Sequence, residues 1–201
     1  MNEWRLPYEK LRKGVRPGDI IAYHRSGIFP TGIAIYEYFK TGTPIESCMT
    51  HVSVCVSGPT ILDRKLIIEA AEGEVNVRAL SSSIHAHNGR AFWYPLREEL
   101  RYFRAGMDII CWNKIGTKYD FGGVVANVLG NVSIDLRKLF CSELAQLALQ
   151  IIPYELISEI IRNRRKEWKD FPVLKLFYAK KALRPNQLVQ LPFFKPRIEI
   201  L

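Results

Sequence analysis

The sequence predicts an α+β fold in which helices pack on a small antiparallel sheet, and two observations carry this reading. Four strand signals, His51–Val56, Lys65–Ala70, Glu74–Leu80 and Arg90–Tyr94, are separated only by segments holding Gly58-Pro59, Glu72-Gly73 and His87-Asn88-Gly89. Parallel neighbours would need crossovers of about a dozen residues or more, so this spacing describes an antiparallel meander. After Pro95 the apolar period changes from that of strands to that of helices.

The elements follow in order. Arg16-Pro17-Gly18-Asp19 is a turn signal leading into a short buried strand, Ile20–Tyr23. The segment Ser26–Thr50 is rich in Gly and Thr, and its aromatic-apolar patch Ile33–Phe39 suits a short helix. Beyond the meander, helices are expected over Glu98–Trp112, Tyr119–Leu129 and Phe140–Ile152, the third stopped by Pro153. Tyr154–Lys169 reads as a basic amphipathic helix. Leu183–Val189 and Leu191–Phe194 return to turn and strand chemistry. The sequence contains no internal repeat or low-complexity tract.

With 201 residues, 48% hydrophobic and 24% charged, the chain suits one well-buried domain spanning 1–201. Its apolar runs fall far short of the ~20 residues that cross a bilayer, so no membrane span is expected. Met1–Pro7 lacks a basic stretch followed by an apolar one, so the expected location is the cytoplasm, or release without a signal peptide. Cys48 and Cys55 bracket a strand signal, Cys111 sits in a helical pattern, and no pair has C-x-x-C spacing. Reduced thiols and no metal or cofactor are the expectation. A net charge of +9 favours an anionic partner or surface. The run Arg162–Lys166 is followed by Glu167-Trp168-Lys169-Asp170 and reads as a solvated helix end, so no specific nucleic-acid binding is expected.

Cys141 opens a helical segment whose Leu144, Ala145, Leu147, Ala148, Leu149 and Ile151 suit burial. At a helix start, unpaired N–H groups and the macrodipole favour a thiolate and can stabilise an oxyanion. The competing reading is a small core hydrophobe. All four histidines precede Cys141, and His51 is the best placed as a base, because it begins a strand that gives its ring a rigid platform. His24 ends the first strand, while His85 and His87 lie in an expected loop. Glu69 stands in the otherwise apolar Leu66-Ile67-Ile68-Glu69-Ala70-Ala71 on the next strand, and a buried carboxylate needs a partner such as His51. Alternatively it is an edge-strand carboxylate facing water.

Four segments together resemble a known family: Gly116-Thr117-Lys118-Tyr119-Asp120-Phe121-Gly122-Gly123, then Cys141-Ser142-Glu143-Leu144, with Gly18-Asp19-Ile20 and Thr50-His51-Val52-Ser53-Val54 upstream. They are similar to the NlpC-type branch of papain-like hydrolases. Histidine before cysteine is similar to its circularly permuted members, the YiiX-like cysteine hydrolases. The likeness runs from Arg16 to Leu191 and includes Arg184-Pro185-Asn186-Gln187-Leu188. It implies a barrel-like sheet in a permuted papain-like fold, with Cys141 as nucleophile, His51 as general base and acid, Glu69 as the orienting group and Tyr119 as an oxyanion or substrate contact. Glu143 stands where unpermuted wall hydrolases carry glycine, and no glutamine precedes Cys141 as in papain. The implied activity is that of a peptidase or amidase on a peptide or acyl substrate, with bacterial wall peptides leading. Lipid or ester acyl transfer of the lecithin retinol acyltransferase-like type, and a non-catalytic basic binding module, are the alternatives.

Overall fold

The structure is a computed structural model and describes residues 4–25, 48–58, 64–71, 73–87, 89–119, 138–163 and 171–201. Its strands are β1 (Trp4–Leu6), β2 (Ile20–Arg25), β3 (His51–Val56), β4 (Leu66–Ala71), β5 (Glu74–Ala79), β6 (Gly89–Tyr94), β7 (Lys118–Tyr119), β8 (Lys138–Leu139) and β9 (Ile198–Ile200). The helices are α1 (Tyr8–Leu11), α2 (Leu80–Ala86), α3 (Arg104–Trp112), α4 (Cys141–Leu149), α5 (Tyr154–Asn163), α6 (Val173–Tyr178) and α7 (Pro185–Leu188), and a 3-10 turn over Glu98–Phe103 leads into α3.

The fold is α+β, as the sequence predicts. Among the described residues the strands form one sheet in the order β1-β9-β6-β2-β3-β4-β5-β7-β8. The seven from β9 to β7 are antiparallel, and the edge pairs β1–β9 and β7–β8 are parallel. The sheet is open, which corrects the barrel-like expectation: its edges are strands of three and two residues, too short for a closing ladder.

Both faces of the sheet are covered, which explains why every residue of β3 is buried. Val52, Val54, Val56, Ile68 and Ala70 join Leu144, Ala145 and Ala148 of α4 in the larger core. Ile21, Tyr23, Cys55 and Ile67 face a smaller core closed by Leu11, Leu80 and Trp93. Each such aliphatic side chain contributes about 1.5–3 kcal/mol by leaving water.

The central strands coincide with the sequence reading to within a residue or two, but the meander runs β2-β3-β4-β5, and β6 does not follow β5: it crosses back to pair with β2. The helical half departs further. Glu98–Trp112 is α-helical only from Arg104. The expected loop after β5 is α2, because Leu80 and Ile84, four apart, share a face toward the smaller core. Leu183–Val189 holds a short helix, since Pro185 suits a first turn and the Gln187 side chain accepts the Arg184 N–H. Three-residue strands such as β1 and β9 leave no periodic signal. The Ile33–Phe39 patch, residues 120–129 of the helix expected from Tyr119, and residues 164–169 lie outside the described residues.

Asp19 fixes how the two halves meet. It is 1% exposed, and its carboxylate accepts bonds from the Arg16 N–H, Trp93 Nε1–H, Leu96 N–H and Arg104 Nη1 at 2.7–3.0 Å. Arg104 also donates to the carbonyls of Pro17 and Leu96. Gly18 precedes it at φ +83°, where an added Cβ would lie 3.1 Å from the Met107 sulfur. Asp19→Ala leaves the Arg104 guanidinium buried without its counter-charge. The expected loss is roughly 3–5 kcal/mol of stability, read by chemical denaturation.

Candidate active site

β3 begins with His51, which lies opposite Tyr23 of β2. On its other side β3 pairs with β4 from Val54↔Ile68 to Val56↔Leu66. Continuing that register would set Glu69 across from Ser53 and diagonal to His51 on one face of the sheet. The two side chains meet: His51 Nε2 lies 2.6 Å from Glu69 Oε2, with the residues 6% and 1% exposed. The strands are therefore adjacent and antiparallel, and Glu69 is a buried partner of the ring. The solvent-facing alternative is excluded. Glu69 Oε1 lies 3.5 Å from Nε of Arg78 on β5.

Cys141 is the first residue of α4, after Phe140 in extended conformation. Glu143 turns back and accepts the Phe140 N–H at 3.1 Å, an N-terminal cap that accounts for a carboxylate at this position. Ser142 Oγ donates to the Leu183 carbonyl at 2.5 Å, and Gln146 bonds both the Lys181 carbonyl and the Leu183 N–H, at 2.8 and 2.9 Å. These buried polar contacts pin α4 to the Lys181–Leu183 segment.

The Cys141 thiol is linked to the His51 ring through charge and hydrogen bonding, and the backbone N–H groups of Val52 and Ser142 also favour its charged form. Because Nε2 is engaged by Glu69, Nδ1 is the nitrogen left for sulfur. Burial raises the Cys141 pKa. The His51 charge, its hydrogen bond and the two N–H donors outweigh burial, and the net value is below the ordinary 9.0. For His51, burial favours the neutral ring, but Cys141 and Glu69 carry its pKa above the ordinary 6.5. Both shifts favour a thiolate beside an imidazolium.

The other thiols differ. Burial pushes Cys55 well up and Cys111 up to about 12, so both are neutral core groups, and Cys48 is also buried. His24 Nδ1 lies 2.9 Å from the Cys48 carbonyl oxygen, His87 Nε2 lies 3.4 Å from that of His24, and His85 is exposed on α2. Tyr119 lies on β7, in register with Leu139 two residues before Cys141, half-buried against the larger core. Gly122 and Gly123 of its motif are outside the described residues. Sequence reasoning missed Arg78, which shares a face of β5 with Glu74 and Asn76, opposite Val75 and Val77. It also missed Tyr23, whose ring centroid is 5.7 Å from that of His51 and whose hydroxyl bonds Ser83 Oγ at 3.0 Å.

The sequence matches no family model and no curated protein. Among solved structures, the chain is similar to the crystal structure of metalloprotein yiiX from Escherichia coli O157:H7, DUF1105. The similarity has a TM-score of 0.58 at 15% identity, over 90% of this chain and 94% of that one. The described His, Cys, Asp and Glu residues form no group of three or more able to hold an ion, and His51 spends Nε2 on Glu69. The likeness at this identity is one of fold, and the chain has a YiiX-like fold.

Proposed function

We propose that this protein is a cysteine hydrolase, a peptidase or amidase of the permuted NlpC-type papain-like kind, acting through a thioester acyl-enzyme. The observation that carries this is the buried relay of Cys141, His51 and Glu69, with thiol and imidazole shifted toward the ion pair. In the reaction the Cys141 thiolate forms a C–S bond to a carbonyl carbon, and the carbonyl electron pair moves to oxygen. Tyr119 and the first N–H groups of α4 are the proposed donors to that oxyanion. Collapse breaks the C–N bond, and the imidazolium gives its proton to the departing amine. Neutral His51 then takes a proton from water as its oxygen attacks the thioester, and the carboxylic acid leaves while the thiolate–imidazolium pair is restored. Glu69 fixes the ring and stabilises its charged form.

Bacterial wall-type peptides are the leading substrates, following the family resemblance. Transfer of lipid or ester acyl groups is the second reading, favoured by the net charge of +9, which draws the protein to anionic surfaces. Incubation with muropeptides and with phospholipid vesicles separates the two by product. A non-catalytic module would release neither product and would show no activated thiol.

Cys141→Ser is expected to reduce hydrolysis to background with the fold retained, while Cys48→Ala, Cys55→Ala and Cys111→Ala keep the rate. Mass spectrometry after brief iodoacetamide treatment should find the label on Cys141. Single-turnover rates test the relay. His51→Ala should cost about a thousandfold, Glu69→Gln roughly ten- to a hundredfold, and the pair no more than His51→Ala alone.

The shifts also set a pH window. A lowered thiol value brings the acid limb of kcat/KM below 9.0, and a raised imidazole value puts the alkaline limb above 6.5. Activity should therefore be lost as pH falls through the first and as it rises through the second. A profile rising only near pH 9 would mean an unpaired thiol.

A further inference from the structure

Glu69 must stay charged through a cycle in which its partner does not. While His51 carries a proton, the carboxylate faces an imidazolium. Once that proton goes to the leaving group, a carboxylate that is 1% exposed faces a neutral ring, and a buried carboxylate without a cation takes up a proton. Protonated Glu69 would no longer make His51 basic enough for the water step. The site needs a cation that never titrates.

Arg78 has the right chemistry and position. Ile67↔Arg78 and Glu69↔Asn76 are register pairs of β4 and β5, so Arg78 is the diagonal neighbour of Glu69 on the same face. Its Nε is 3.5 Å from Oε1, while Oε2 is 2.6 Å from His51. A guanidinium remains charged at every working pH.

Resting on the cysteine-hydrolase reading, we propose that Arg78 is a positioning residue: its guanidinium anchors Glu69 Oε1, keeping the carboxylate ionised and Oε2 aimed at His51 whatever the protonation state of the ring. Among the described residues, titratable groups around this pair include Tyr23 of β2, Cys55 of β3, Cys141 of α4 and His87, whose ring centroid lies 4.6 Å from that of Tyr23. Burial raises both Tyr23 and Cys55, so neither ionises on the acid side.

The test uses iodoacetamide, which needs no substrate, and follows Cys141 alkylation against pH in the full chain. Arg78→Met should move the acid limb up by about one pH unit, roughly tenfold in rate along that limb, with the upper plateau unchanged. Arg78→Lys, which keeps a charge without the planar fork, should recover most of the shift. The thermal midpoint should fall by no more than a few degrees, since Arg78 is one-third exposed and Glu69 keeps His51 as a partner. In a Glu69→Gln background, Arg78→Met should change nothing. His87→Gln should leave the limb in place.

An Arg78→Met limb superimposed on the parent's would overturn the proposal, provided Cys141 is activated and depends on Glu69. An equal slowing with Glu69→Gln present would overturn it too, since Arg78 would then act by another route. A parent Cys141 no more reactive than Cys55 or Cys111 is a different result, and it removes the hydrolase reading itself.

Discussion

A carboxylate in the middle of an apolar strand costs several kcal/mol in lost hydration unless charge and hydrogen bonds replace the water. Glu69 is such a group, and the arrangement around it follows from meeting that cost. His51 approaches from β3 on one oxygen and Arg78 from β5 on the other, so three neighbouring strands are held in register by one side chain. The ring is thereby fixed in tautomer and direction, with Nδ1 presented to the end of the sheet where the pairing of β3 and β4 stops.

The thiol arrives by a different device. α4 is anchored by polar residues that are themselves buried, with Ser142, Glu143 and Gln146 each inaccessible. Ser142 and Gln146 bond the backbone between Lys181 and Leu183, and Glu143 caps the helix it belongs to. Directional contacts of this kind define position more sharply than apolar packing, which tolerates small slides. Sulfur is set against the Val52 N–H beyond the ladder of β3 and β4, where the backbone can serve as donor.

The sequence reading was most accurate where a physical demand was local. His51–Val56 is bounded correctly because alternation and turn residues mark both ends, and Glu69 stood out because an acid in an apolar run requires an explanation. The meeting of His51 and Glu69 was legible from the short connection between their strands. Arg78 was not, since an arginine alternating with valines looks the same whether it faces water or a carboxylate on the neighbouring strand. The helices Leu80–Ala86 and Val173–Tyr178 were hidden by their shortness, and the open sheet by edge strands too brief to leave a period. Glu143 was visible as an oddity, and its role as a cap emerges only with the φ and ψ of Phe140.

The pairing of β1 with β9 bears on how the chain reaches this state. Trp4↔Ile198 through Leu6↔Ile200 join residues almost two hundred positions apart, and the Tyr8 and Leu201 backbones close the same corner. During synthesis β1 has no partner until β9 emerges, so this edge of the sheet must form after the meander of β2 to β5. His51 and Glu69 sit inside the part with short-range pairings, whereas β1 and β9 make the longest-range strand pairing among the described residues. Partial unfolding should therefore begin by peeling β1 and β9 from β6, with His51 and Glu69 still in place on β3 and β4, beyond β6 and β2 in the sheet.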